Sequence, residues 1–252
     1  MVKAITSIQE PDLDFDHGTF DSAGFAAQAF ANWQSLAAVL EPTLLDPEAT
    51  RAQVEDLCDQ AARYRFACAV VNPVWTATAV GILAGTAIPV GVVIGFPLGA
   101  SLVSTLRQEA ASLIRLGARE LEMVLPIGQL KSGNYQAVEQ TVDAVVNVTR
   151  HGGAVLKVTL ETSLLSTEEK LRGAEIAIQA GADFISTSTG FSTSGASVPD
   201  VALMRGVAGG RCGVKALGGV RSIAYLRTLL EAGANRIGAS GAVAMVREMG
   251  AE

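Results

Sequence analysis

A (β/α)₈ barrel preceded by an N-terminal helical extension is the fold predicted by this 252-residue sequence. Three observations carry the prediction. One phrase recurs as RLGARELEMV, QAGADFISTS and EAGANRIGAS: in each, a helical pattern stops at a glycine and a β-prone run begins at once. Those glycines, Gly117, Gly181 and Gly233, are 64 and 52 residues apart, room for two strand–helix units in each interval. Hydrophobic residues make up 49% of the chain and charged residues only 17%, enough apolar material for one large core. A doubly wound open sheet is the alternative use of the same alternation.

Residues 1–35 fall outside the repeat and form the extension; residues 36–252 form the barrel domain. SAGFAAQAFANWQSLAAVL is helix-compatible and is expected to cover the barrel bottom or a second copy of the chain, through Phe25, Phe30 and Trp33. Strands are expected at 37–40, 66–71, 90–94, 120–125, 154–160, 183–188, 212–216 and 236–238. Helical patterns fill the intervals at 48–63, following PEAT, and at 102–116, 135–150, 167–180, 198–207, 223–232 and 242–248. The stretch 66–106 carries no charged residue. Asn72, Pro73, Pro89 and Pro97, with many Gly and Thr, interrupt it before a spanning helix of about 20 residues can form, so no membrane span is expected.

The net charge of −6 argues against general affinity for nucleic acid or an anionic membrane, which needs clustered Lys and Arg. Cys58, Cys68 and Cys212 are too scattered for a disulfide framework or a CxxC metal site, and MVKAITSIQEPDLDFDH lacks the apolar segment of a signal peptide. A reduced, cytoplasmic protein is expected. With no metal-ligand cluster and no dinucleotide fingerprint, no metal and no cofactor are expected.

Chemistry in such a barrel sits on inward side chains at the C-terminal ends of the strands. Leu121, Met123 and Leu125 share one face, which sends Glu122 to the other; Lys157 and Thr159 alternate against Leu156, Val158 and Leu160. Ser186 and Ser188 alternate against Ile185 and Thr187, and Lys215 stands between Val214 and Ala216. Four consecutive strands thus place Glu122, Lys157, Ser186 and Lys215 in one neighbouring row. As mere structure, Glu122 and Lys157 would be a single buried ion pair, but such a pair costs several kcal/mol in desolvation and favours a functional reason. Neither His17 nor His151 lies at a strand top, so Ser186 lacks a base that would make it a nucleophile. Gly190, then Gly218, Gly219 and Arg221 in LGGVR, then Gly238 and Ser240 in IGAS, follow the last three strands. Glycine turns feeding helix starts are where such barrels hold phosphate.

TLLDPEATRAQVEDLCDQAARYRFACAVVNP, VVIGFPLGA, ELEMVLPIGQLKSGNY, LKVTLET, GADFISTSTGF, VKALGGVR and RIGASGA resemble, in order, the motifs of the deoxyribose-phosphate aldolase family, from Leu40 to Gly241. The resemblance implies class I aldolase chemistry, in which a strand-6 lysine forms a Schiff base with acetaldehyde that then adds to glyceraldehyde 3-phosphate. It assigns Lys215 to the family's KxxGG lysine, Lys157 to its LKV lysine, and the phosphate turns to Gly190, Gly218, Gly219, Gly238 and Ser240. Three positions depart from the pattern. Ser186 stands where GADFIKTSTGF carries the Schiff-base lysine, Glu122 where EIDMV carries aspartate, and Glu41 with Pro42 where DHTLL is usual.

Serine cannot form a Schiff base, so another amine must serve, and a lysine stem can lean across one strand spacing of about 4.8 Å. The amine must lose a proton it normally holds up to about pH 10.4. Glu122 would oppose that loss at its neighbour Lys157. Lys215, expected to lie farther from Glu122, is the better candidate. The leading expectation is therefore a lyase making or breaking a carbon–carbon bond of a phosphorylated aldehyde or sugar, with Lys215 as the amine and Glu122 and Lys157 relaying protons. A lysine-independent isomerase, dehydratase or cyclase, with Glu122 as base and Lys215 as electrostatic stabiliser, is the second expectation. A non-catalytic phosphosugar-binding protein is the third. The partner in each case is a small phosphorylated molecule, with a homo-oligomer allowed by the apolar extension.

Overall fold

The computed structural model describes residues 19–252 and contains eight parallel strands in sequence order, β8 pairing with β1 to close a barrel. The strands are β1 Leu40–Leu44, β2 Ala69–Val71, β3 Val90–Ile94, β4 Glu120–Val124, β5 Val155–Thr159, β6 Phe184–Ser186, β7 Gly213–Leu217 and β8 Arg236–Ala239. Eleven helices surround or precede them: α1 Ser22–Ala29, α2 Trp33–Ala37, α3 Arg51–Tyr64, α4 Thr76–Ile82, α5 Val103–Leu116, α6 Ile127–Lys131, α7 Tyr135–Gly152, α8 Thr167–Ala180, α9 Val198–Ala208, α10 Ile223–Glu231 and α11 Ala242–Glu248. The outward strand faces and the inner helix faces form one continuous apolar core. Among the described residues no helix is long and apolar enough to cross a membrane.

Local chemistry explains most boundaries. The three recurring glycines adopt left-handed φ of 110°, 94° and 116°, which ends each helix and turns the chain into β4, β6 and β8. Capping boxes at Thr50 with Gln53 and Ser166 with Glu169 satisfy the first free amides of α3 and α8. The Thr50 cap moves the start of α3 from the expected residue 48 to Arg51. The largest correction is β1, expected at 37–40 and found at Leu40–Leu44. Ala37 closes α2, and the strand runs through Pro42, whose nitrogen has no hydrogen for a ladder and which therefore discourages a strand assignment from sequence. The short helices α4 and α6 were not expected; α4 lies inside the uncharged 66–106 stretch.

The extension was expected to end at residue 35, but α2 continues to Ala37; its first 18 residues, with His17, lie outside the described residues. Its helices are built onto the barrel wall. The Phe30 ring lies 3.8 Å from the Arg227 guanidinium on α10, and the Phe20 ring 4.1 Å from that of Arg205. Arg205 in turn donates to the carbonyls of Gly209, Cys212 and Gly233, just before β7 and β8, so the extension reaches the barrel bottom.

Candidate active site

The barrel interior divides into an apolar half and an ionic half. Leu45, Cys68, Val70 and Val93, with Phe96, fill the side near β2 and β3. The other side holds three carboxylates, Glu41, Glu120 and Glu122, against three cations, Lys157, Lys215 and Arg236. Lys157 Nζ lies 2.5 Å from both Glu41 Oε1 and Glu120 Oε2. Lys215 Nζ lies 2.5 Å from Glu122 Oε2 and 2.8 Å from Glu41 Oε2. Arg236 approaches Glu41 at 3.3 Å, and the Thr159 hydroxyl donates to Glu122 Oε1 at 2.8 Å. Both lysines, Glu41 and Ser186 are fully buried.

This pairing corrects two expectations. Glu122 does not pair with Lys157, although the two are register partners on β4 and β5. Its head rises toward Thr159 and Lys215, while Lys157 turns toward Glu120 and across to Glu41. Lys215 is consequently the amine touching Glu122, not the one remote from it. The expected row is also stepped: Ser186 is in register with Thr159 and Lys215, whereas Lys157 is in register with Phe184, one inward position lower. In a closed barrel, inward heads meet across the axis as well as along the ladder, and Glu41 on β1 is the residue that reaches both lysines.

The ionic contacts outweigh burial in setting the protonation of Glu41 and Lys157. Burial alone would raise the Glu41 carboxyl, but Lys157, Lys215 and Arg236 outweigh it and hold that group well below the usual carboxylate range. Burial alone would lower Lys157, but Glu120 and Glu41 outweigh it and hold its ammonium well above the usual lysine range. Lys157 is thereby fixed as a cation. The Ser186 and Ser188 hydroxyls are buried and make no hydrogen bond among the described residues.

Above this cluster, at the C-terminal ends of the strands, is a cleft of about 270 Å³. Gly190, Gly218, Gly219, Arg221, Gly238 and Ser240, the six residues expected to bind phosphate, all line it. Thr43, Asp46, Phe191 and Leu217 complete much of the wall, so Arg221 contributes positive charge and Asp46 negative. Two turns of the wall touch backbone to backbone: Ala196 N–H donates to the carbonyls of Leu217 and Gly218, and a Cβ on Gly195 would come 2.1 Å from the Gly218 oxygen. The floor is equally close. A Cβ on Gly238 would lie 2.5 Å from Leu217 Cδ1 and 3.1 Å from Lys215 Cε, so the Lys215 stem packs against the cleft residue Gly238, beside Leu217.

Glu41, Glu120 and Arg236 were missed as inward residues. Glu120 had a signal, lying two residues before Glu122 on the same strand face. Arg236 had the same relation to Gly238, and Glu41, noted only as a departure from the family pattern, had its inward orientation hidden by the misplaced β1. Glu161, buried just past β5, was also missed. His151 lies on the exposed end of α7, its Nδ1 2.6 Å from the Asn147 carbonyl oxygen, away from the cleft.

A closed (β/α)₈ barrel with lysines and carboxylates buried together under a glycine-walled mouth is an enzyme scaffold, and here a carbon–carbon lyase of the aldolase type. Residues 12–247 match the family described as DeoC/LacD family aldolase, and the chain belongs to that family. It is 48% identical over 212 residues to a deoxyribose-phosphate aldolase of Geobacillus sp. (strain WCH70), covering 84% of this chain and 95% of that one. A deoxyribose-phosphate aldolase of Enterococcus faecalis is likewise 48% identical over 208 residues, covering 82% and 94%. Among solved structures, the tetrameric deoxyribose phosphate aldolase from Aeropyrum pernix superposes with a TM-score of 0.84 at 33% identity, covering 90% of this chain and 96% of that one.

Proposed function

We propose that this barrel makes or breaks a carbon–carbon bond in a phosphorylated aldehyde or sugar, of the kind its deoxyribose-phosphate aldolase relatives are named for, using Lys215 as the Schiff-base amine. The observation that carries the reading is that the fully buried Lys215 packs its stem against Gly238, a residue of the cleft. Gly190, Gly218, Gly219, Gly238 and Ser240 would offer backbone amides and a hydroxyl to the phosphate, with Arg221 supplying charge. The Lys215 ammonium would give its proton to Glu122, 2.5 Å away, before the free amine attacks the carbonyl carbon. Water leaves from the resulting carbinolamine, and the protonated imine then accepts the electron pair of the cleaved carbon–carbon bond. Lys157 lies one inward position below Lys215, farther from the cleft, and acts through Glu41, which it shares with Lys215. Ser186 occupies the level of the cluster without supplying an amine.

Incubation with acetaldehyde and sodium borohydride, followed by peptide mass spectrometry, tests the assignment. A reduced adduct on Lys215, absent from Lys215→Met, is expected; full turnover with no lysine adduct would refute it. One observation favours a second reading: every amine of the cluster is already engaged by carboxylates. If Glu122 instead acts as the base of an isomerase, dehydratase or cyclase, Glu122→Gln abolishes turnover while borohydride leaves the wild type active. Cytoplasmic location fits the three buried free cysteines, and association of several copies fits the tetrameric relative; both remain proposals for this chain.

A further inference from the structure

Glu161 holds a backbone conformation that a side-chain-bearing residue avoids, with φ 58° and ψ 61°, directly after the strand end that carries Lys157 and Thr159. The other described non-glycine residue with positive φ, Arg65, is the C-cap of α3, where that geometry is common; Glu161 caps no α-helix. What its conformation secures is the direction of a buried carboxylate. One oxygen, Oε2, accepts from the Thr189 amide at 3.1 Å and from the Thr189 hydroxyl at 2.5 Å. The same hydroxyl accepts from the Phe191 amide at 3.1 Å, closing a turn around Gly190, whose φ is 84°. The other oxygen, Oε1, lies 3.4 Å from the Ser163 hydroxyl, which lies 3.2 Å from Ser192 Oγ. A hydroxyl has one proton, so Ser163 donates to the carboxylate and accepts from Ser192.

We infer that Glu161 is a positioning residue for the anion cleft, holding residues 189–192 directly at Thr189 and through Ser163 at Ser192, so that the Gly190 turn stands in the cleft wall. Thr189, Gly190 and Phe191 line the cleft; Glu161 and Ser163 do not. The donors of this short segment would otherwise be free to point elsewhere, because a Ser/Thr/Gly run has little of its own to fix it. A negative charge placed beside an anion site for its own sake would weaken binding, so the carboxylate is explained by the turn it holds. The inference rests on the proposed phosphate-binding role of the cleft.

Titration of the full chain with inorganic phosphate by calorimetry tests both levels separately. Glu161→Ala and Glu161→Gln remove the same charge, but only Gln keeps an acceptor for Thr189. Positioning predicts that the Ala variant loses about tenfold or more in phosphate affinity, while the Gln variant stays within about threefold of wild type. Ser163→Ala, which leaves the charge intact, should fall between them. An Ala variant that binds phosphate as tightly as wild type, or tighter, would overturn the clamp while leaving the cleft assignment standing. Failure of the wild-type chain to bind phosphate would overturn the cleft assignment and the clamp with it. Should Glu161→Ala not fold, unchanged affinity in Ser163→Ala overturns the clamp.

Discussion

Replacing Glu41 by Gln removes one charge from the barrel centre with almost no change in volume. Glu41 is fully buried and contacts Lys157, Lys215 and Arg236 at 2.5, 2.8 and 3.3 Å, so the substitution leaves three cations facing Glu120 and Glu122 alone. Breaking a buried ionic network from one side typically costs about 3–5 kcal/mol, because the stranded charge keeps its desolvation penalty. For a chain of this size each kcal/mol moves the melting temperature by about 2–4 °C, so a fall of roughly 6–20 °C is expected at neutral pH. Calorimetry across pH adds a second constraint. The folded-state carboxyl of Glu41 is held below its usual value of about 4.5, so its contribution is complete above that pH and is lost as pH falls toward the folded value. The gap between wild type and Glu41→Gln should therefore be constant from neutrality down to about pH 5 and shrink in stronger acid. A melting temperature within about 2 °C of wild type at neutral pH, or a gap that widens in acid, would refute the network as described.

Lys157→Met should act on the alkaline side. The Lys157 ammonium is held above its usual value of about 10.5, so its contribution is complete below that pH and lost as pH rises; the variant should show a flatter alkaline limb in urea titrations. Gly195→Ala, whose new methyl would meet the Gly218 oxygen at 2.1 Å, should displace the cleft wall and cost about 1–3 kcal/mol, read as a lower urea midpoint together with weaker phosphate binding. Ser186→Lys places an amine beside Thr159 and Lys215 without breaking any hydrogen bond of the serine side chain; deoxyribose 5-phosphate cleavage should rise by about two orders of magnitude, with a borohydride-trapped adduct at position 186. Leu217→Ala should open the cleft to Lys215 and speed its borohydride trapping by acetaldehyde, with no such gain in Leu217→Ile.

The parts of this molecule that follow from neighbours in sequence were readable without coordinates. Helix ends at Gly117 and Gly181, the Ser166 start of α8 and the inward face of β4 all depend on residues within one turn or one pleat. That the six cleft residues share one wall was legible for the same reason, since each lies within four residues of the C-terminal end of β6, β7 or β8. The ionic pairing was not, because Glu41 meets Lys157 across 116 residues and Glu122 meets Lys215 across 93. Alternation tells which residues face inward, and it says nothing about which heads touch once the sheet is closed and tilted. Glu41 was noted only as a departure from the family's strand-1 end, and its inward ion pairs stayed hidden because β1 was expected to stop at residue 40. Glu161 left no trace, because its role depends on a left-handed backbone that glutamate rarely adopts.

On β7 the side chain of Leu217 lines the cleft one inward position above Lys215. Below it Lys215, Glu41 and Glu122 are almost completely buried, whereas Glu120 and Arg236 keep 7% and 15% of their side chains exposed, so the cluster meets the medium at its lower level and not at Lys215. A molecule that approaches Lys215 from the cleft therefore meets this leucine first, and its binding has to move that side chain.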